Sequence, residues 1–186
     1  LRCYAEASVL RASHLNKALA DSVIMSKKRK SIYVSHPLYG DTPNYTNDRF
    51  QLGDILNSHW SYKEESVVLG TVIEANIDKQ NYSIYPRKLY VDSKKQCVQC
   101  NRWFLFYAEE QRYWFETLGF YIDADCTKCI DCRKKEQSIK VMRHEYEVLK
   151  KNDERTVEET RKLKNIALEL YQLGYIKNKS KIDEIS

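Results

Sequence analysis

Cys97 and Cys100 form one Cys-x2-Cys pair, Cys129 and Cys132 form a second, and 28 residues separate the two. Thiolates are soft, strongly donating ligands, and two such short bites close a tetrahedral shell about Zn²⁺ with no position left open. The spacing therefore predicts a structural Zn²⁺ site. Size points the same way. Residues 93–135 are too few to bury a core that is stable alone, whereas a structural zinc is worth about 10 to 16 kcal/mol at neutral pH.

The rest of the 186-residue chain bounds the setting of that site. With 42% hydrophobic and 31% charged residues the composition is globular, and no apolar run approaches the roughly 18 residues of a membrane span. Five of the six cysteines crowd between Cys97 and Cys132, and only Cys3 lies elsewhere. Disulfide scaffolds spread their bridges along the chain, so a reducing, cytoplasmic compartment is expected. Arg2, Glu6, Arg11, Lys17 and Asp21 interrupt the first 24 residues, which argues against a secretory leader. Met25-Ser26-Lys27-Lys28 reads like the start of a protein, with residues 1–24 as an extension upstream of it. The net charge of +5 permits a nucleic-acid partner without requiring one. Four of those charges sit in Lys27-Lys28-Arg29-Lys30, a run read as solvated.

Four segments follow from the pattern: an extension at 1–30, a tyrosine-rich irregular and β region at 31–92, the cysteine module at 93–135, and a helical tail at 136–186. Residues 67–75 and 82–91 are rich in β-branched and aromatic side chains, with Asn76, Asp78 and Asn81 between them. That predicts a hairpin, with Pro86 putting its second strand at an edge or bulge. In the tail, Ile139, Met142, Tyr146 and Leu149 fall on one helical stripe, and Leu163, Ile166, Ala167, Leu170 and Leu173 on another. Asn152 and Asp153 break between them, Thr156 and Glu159 make a capping box, and Gly174 is placed for a left-handed helix end. Two such helices predict an antiparallel helical hairpin.

Inside the module, Asn101 follows the first bite where the chain must turn sharply, and Asn tolerates a left-handed conformation second only to Gly. Residues 103–107 then read as a strand, 108–118 as a short helix ended by Gly119, and 120–122 as a returning strand. Cys129 and Cys132 fall in the turn and first turn of a helix over 133–151. A knuckle, strands and then a helix carrying the last two ligands is a treble-clef order, and the fold class expected for the chain is α+β. The spacer also exceeds the roughly 15 to 20 residues of a simple ribbon.

The run Cys97-x2-Cys100, Phe104, Glu110-Gln111, Tyr113, Gly119-Phe120, Lys128-Cys129-x2-Cys132-Arg133 resembles the zinc-ribbon (treble-clef) zinc-binding domain of a bacterial family of unassigned function. The resemblance covers about a fifth of the chain. It implies zinc at Cys97, Cys100, Cys129 and Cys132, and no activity. Asn101 stands where that pattern has Gly. Cys126 stands where it often has Pro, and is either an alternative ligand to Cys132 or a small buried hydrophobe beside the site.

A closed site is non-catalytic, so the expected function is binding of nucleic acid or protein. Arg133, Lys134 and Lys135 begin a helix, where the macrodipole disfavours cations. Either the negative thiolate site offsets that cost, or these residues contact phosphates together with Lys94, Lys95, Arg102, Lys140 and Arg143. Trp103, Phe104, Phe106, Tyr107, Tyr113, Trp114, Phe115, Phe120 and Tyr121 are read as core, with one or two rings exposed. Glu109, Glu110 and Glu116 are read as the solvated face of a short helix. His14, His36, His59 and His144 are scattered, and residues 101–132 hold no His, which argues against a His-Asn-His nuclease. Two alternatives remain open: an enzyme with a polar pocket at His36, Asp41, Asp48 or His59 in residues 31–92, and an assembly protein acting through its helical tail.

Overall fold

A computed structural model describes residues 31–46 and 49–185. The expected extension at 1–30, with Cys3, His14 and the Lys27–Lys30 cluster, and also Asp48, lie outside the described residues. In chain order the elements are α1 (Leu52–Ser58), β1 (Ile73–Glu74), β2 (Leu89–Tyr90), β3 (Ser93–Gln96), β4 (Trp103–Phe106), α2 (Ala108–Arg112), α3 (Ile130–Lys151), α4 (Val157–Gln172) and α5 (Ser180–Asp183). The fold is α+β, with small antiparallel sheets and two long C-terminal helices packed together.

β3 and β4 pair antiparallel in the register Ser93↔Phe106, Lys94↔Leu105, Lys95↔Phe104 and Gln96↔Trp103. Alternate residues of a strand face opposite ways, and here both faces of β4 are covered. Phe104 and Phe106 pack with Val34 and the cysteines, while Leu105 packs with Val68 and Tyr107. Burial on both faces explains the unbroken aromatic and aliphatic run Phe104-Leu105-Phe106-Tyr107. Flanking segments add single bridges, Tyr33↔Trp103 beside β4 and Val67↔Ser93 beside β3.

The predicted hairpin over 67–75 and 82–91 shrinks to two residue pairs, Ile73↔Tyr90 and Glu74↔Leu89. Side chains close the backbone elsewhere. The Gln80 side chain donates to Arg87 O (2.7 Å) and accepts from Arg87 N (3.0 Å), tying off residues 81–86 as a loop. Tyr82, Ile84 and Tyr85 lie exposed on that loop, so their β-forming composition has no partner strand. In the first run, Gly70 turns the chain at φ +79°, and the Thr71 hydroxyl donates to Val68 O (2.7 Å). Val67 and Val72 point instead into a core with Ile55, Tyr62, Leu89 and Val91.

After α2 the helix widens into a π turn over Tyr113–Thr117, and Gly119 ends it at φ +66°. The strand predicted over 120–122 does not form. Its one rung is the parallel bridge Asn81↔Tyr121, because the segment beside it is a loop. Phe120 turns back toward Trp114, its N–H donating to Trp114 O (3.1 Å) and the two rings meeting edge to face.

α3 begins at Cys129 as N-cap and continues unbroken through residues 135 and 136. Ile139, Met142, Tyr146 and Leu149 are its half-buried stripe. α4 starts with the predicted capping box, the Thr156 hydroxyl accepting from Glu159 N and the Glu159 carboxylate from Thr156 N. It ends in a Schellman arrangement, Tyr175 N donating to Leu170 O and Gly174 N to Tyr171 O, with Gly174 at φ +79°. Leu163, Ile166, Ala167 and Leu170 are buried, Leu173 is exposed, and Ile182 of α5 is buried. Lys162 pairs with Glu145 across the two helices. In the link between them, the Arg155 guanidinium donates to the carbonyls of Leu149, Lys150 and Asn152.

Candidate metal centre

Cys97 directly follows β3, and the chain reverses over the next four residues. Asn101 N donates to Cys97 O (2.8 Å) and Cys97 N to Arg102 O (3.0 Å). Asn101 takes φ +57°, and among the described residues it alone of the non-glycines does so. A second strap joins the two bites, Val98 N donating to Thr127 O (3.1 Å). Cys129 is the extended N-cap of α3, and Cys132 lies in its first turn.

Local turn geometry and a helix start thus aim four sulfurs at one point. The Sγ atoms of Cys97, Cys100, Cys129 and Cys132 all lie within 4.8 Å of one another, and Cys100 and Cys129 approach to 3.7 Å. That is far beyond a disulfide bond of about 2.05 Å. It matches the edge of about 3.8 Å that follows for a sulfur tetrahedron from a Zn–S distance of about 2.3 Å. Three of the four are buried and Cys100 is half-buried, so the donor set and its enclosure fit a zinc ion.

Residues 91–140 match a family described as a probable treble clef domain. The cysteine module is a treble clef domain. No curated protein and no solved structure matches the chain.

Around the sulfurs, the treble clef domain carries cations placed to offset thiolate charge. Arg102 donates from Nε to Cys100 Sγ (3.4 Å), approaches Cys129 Sγ at 4.0 Å, and pairs with Asp131 at 2.9 Å. The Cys100 thiol and the Asp131 carboxylate hold its guanidinium more firmly protonated than usual. Lys128 pairs with Glu136 at 2.7 Å, and the charges of Cys132 and Cys97 also favour its ammonium form. Burial works against ionisation of Cys97, but the backbone N–H groups of Cys129, Cys100 and Gln99 bring its thiol below the usual range.

Cys126 sits apart from this cluster. It is buried beside Phe104, Phe106 and Val34, its Sγ donates to Lys128 O at 3.5 Å, and burial pushes its thiol up to about 12. It packs as a small hydrophobe.

Of the eight cations named as phosphate contacts, the six nearest the cysteines divide. Lys95 pairs with Asp125, Arg102 serves the thiolates, and Arg133 folds back onto Glu110 at 2.6 Å and over the Trp114 ring at 5.2 Å. Lys134 and Lys135 are exposed and Lys94 is half-buried. Arg133 therefore meets the helix-start penalty with a carboxylate. Glu110 is accordingly not part of a solvated face: it is buried, and faces His36 at 3.8 Å as well as Arg133. Glu109 pairs with Arg112, and Glu116 accepts from Asn76 N at 2.7 Å.

Of the nine module aromatics, Phe104, Phe106, Tyr107 and Phe115 are core. Trp103, Tyr113, Phe120 and Tyr121 are exposed, more than the one or two expected. His36 stacks on Tyr39 at 4.7 Å, and burial, with Arg133 and Lys134 near, lowers its pKa. His59 contacts Ser61 Oγ (2.8 Å) and faces Asp123 (3.4 Å); burial takes its pKa to about 4. Both rings are neutral at pH 7, and each is held by its neighbours. His144 lies exposed on α3. Neither Glu110 as the partner of Arg133 nor Arg102 as a donor to the thiolates is legible from composition or helical period. An arginine two residues past the second cysteine was the available signal for the latter.

Proposed function

We propose that the chain is a non-catalytic zinc-binding protein whose Cys97, Cys100, Cys129 and Cys132 site is structural, and that it acts by binding nucleic acid. The observation that carries the first part is the closed set of four sulfurs within 4.8 Å. All four positions of a tetrahedral ion would be filled by protein, leaving none for substrate or activated water. Bound zinc would supply folding free energy to a module too small to fold by packing.

The nucleic-acid part is supported by a hollow surface along α3. One hollow, lined by Val98, Gln99, Lys128 and Lys135, adjoins the knuckle. A second holds Lys140, Arg143 and His144, and Tyr175 lines both. Arg143 lies over the exposed Tyr175 ring at 5.5 Å. Cations beside an aromatic are suited to phosphates and bases. Fluorescence anisotropy with labelled DNA and RNA tests this. Affinity should fall steeply between about 50 and 200 mM salt, because each phosphate contact releases counterions, and charge reversal at Lys135, Lys140 and Arg143 should abolish binding. Absence of binding at the low-salt end removes the nucleic-acid reading. The exposed Trp103, Tyr113, Phe120 and Tyr121 favour a protein partner as the second reading.

A further inference from the structure

Away from the sulfurs and from α3, a cleft of about 440 Å³ is lined by residues that include Trp60, Lys63, Arg87, Lys95, Asp123 and Asp125. Its unusual member is Arg87. The side chain belongs to a residue only 6% exposed, its guanidinium lies over the rings of Phe115 (4.9 Å) and Tyr62 (5.4 Å), and its Nε has no hydrogen-bond partner among the described residues. Among the described residues no carboxylate forms an ion pair with it. A buried charge is ordinarily paired, since desolvating it alone is costly. Arg102, Arg112 and Arg133 each have a carboxylate and Arg155 has a row of carbonyls; Arg87 has aromatic faces and a cleft.

We infer that the cleft binds a nucleotide unit, with Arg87 receiving its phosphate and Trp60 stacking on its base. A guanidinium fork matches phosphate oxygens in pairs and is weakly hydrated, which suits it to a desolvated anion site. Lys63, exposed at the same cleft, adds a second positive charge. The two carboxylates that line the cleft have partners of their own: Asp125 pairs with Lys95, and Asp123 accepts from the Trp60 indole N–H (3.2 Å). The bond to Asp123 fixes the edge of the Trp60 ring, while the residue remains 70% exposed, so its face is open. A fixed, open indole is a stacking platform that accepts any base. The volume falls within the range of small-ligand pockets.

The inference concerns a site separate from the α3 surface and does not depend on it. The test uses the full, zinc-loaded chain with adenosine monophosphate, adenosine, inorganic phosphate and a short oligothymidylate, followed by calorimetry and tryptophan fluorescence. The expected result is that adenosine monophosphate binds at least tenfold more tightly than adenosine or phosphate alone. Arg87→Gln should lose at least tenfold, and because Arg87 is buried and its removal threatens the fold, the exposed variants Trp60→Ala and Lys63→Ala provide the second arm, each expected to weaken binding severalfold. Binding of the oligothymidylate alone, sensitive to Arg87 and Trp60, would mean the unit is read within a strand. Charge reversal at Lys135, Lys140 and Arg143 should leave binding of the mononucleotide unchanged. The inference is overturned if no nucleotide probe binds at millimolar concentration, if phosphate binds as well as the nucleotide, or if Trp60→Ala and Lys63→Ala both bind like the parent.

Discussion

The contact between Glu110 and Arg133 fastens the first turn of the ligand-bearing helix to α2, and replacing Glu110 by Gln tests how much depends on it. The carboxylate side chain is 7% exposed and the guanidinium 23%, with a 2.6 Å hydrogen bond between them. Removing one partner of a buried pair costs about 3 to 5 kcal/mol, because the other charge stays desolvated. Arg133 retains some contact with water and lies over the Trp114 ring at 5.2 Å, which places the expected loss lower, at about 2 to 3 kcal/mol. For a chain of this size that lowers the melting temperature by about 5 to 10 °C. The assay is denaturant unfolding of the metal-loaded protein, on Glu110→Gln, Arg133→Met and the double variant. Replacing both charges relieves the orphaned one, so the double variant should be more stable than the sum of the single losses predicts, by about 1 to 3 kcal/mol. A Glu110→Gln protein within about 0.5 kcal/mol of the parent, or strictly additive losses, would refute the reasoning.

Metal analysis of purified variants should find one zinc ion per chain, retained in Cys126→Ser and lost or weakened in Cys132→Ser; the reverse order would overturn the ligand assignment. Asn101→Gly should leave stability nearly unchanged, whereas Asn101→Val should cost about 1 to 2 kcal/mol in denaturant unfolding, because φ +57° crowds a β-branched side chain. Asp92 is buried and accepts from Asn44 N and Ala108 N, yet burial raises its pKa from 3.8 to about 6. The folded state therefore holds the proton more tightly: this contribution is fully present below pH 3.8 and is lost as pH rises through 6. Between pH 5 and pH 7 the parent should lose about 1 kcal/mol relative to Asp92→Asn, measured by unfolding both proteins across that range; parallel pH profiles would contradict it.

The legible parts of this chain were those whose cause lies within a few residues. The two Cys-x2-Cys bites, the left-handed Asn101, the Thr156–Glu159 box and the Gly174 helix end each act over at most five positions, and each is visible as a local pattern. The hairpin over 67–91 is present but only two residue pairs long, for the opposite reason. Its β-branched residues fit a strand, but Gln80 closes the loop on Arg87, and Thr71 bonds Val68 and accepts from Asp92 N. Composition gives no warning of such side-chain competition with a ladder. The strand expected at 120–122 failed similarly, since forming it needed a neighbouring strand that was absent.

Sequence alone determined that four thiolates would be brought together by a knuckle and a helix start, and that two amphipathic helices would follow. Ligand spacing, capping and helical period are short-range constraints, and a chain carries them wherever it folds. Only the tertiary structure decided which residues around those sulfurs keep their chemistry available. It buried Cys126 beside Phe104 and Phe106, matched Arg133 to a carboxylate 23 positions earlier and Lys95 to one 30 positions later, and left Arg87, among the described residues, without a carboxylate at a cleft. The physical reason is that charge pairing and desolvation depend on which distant segments meet, and the charges themselves look alike in the sequence whether they are paired or left facing a ligand.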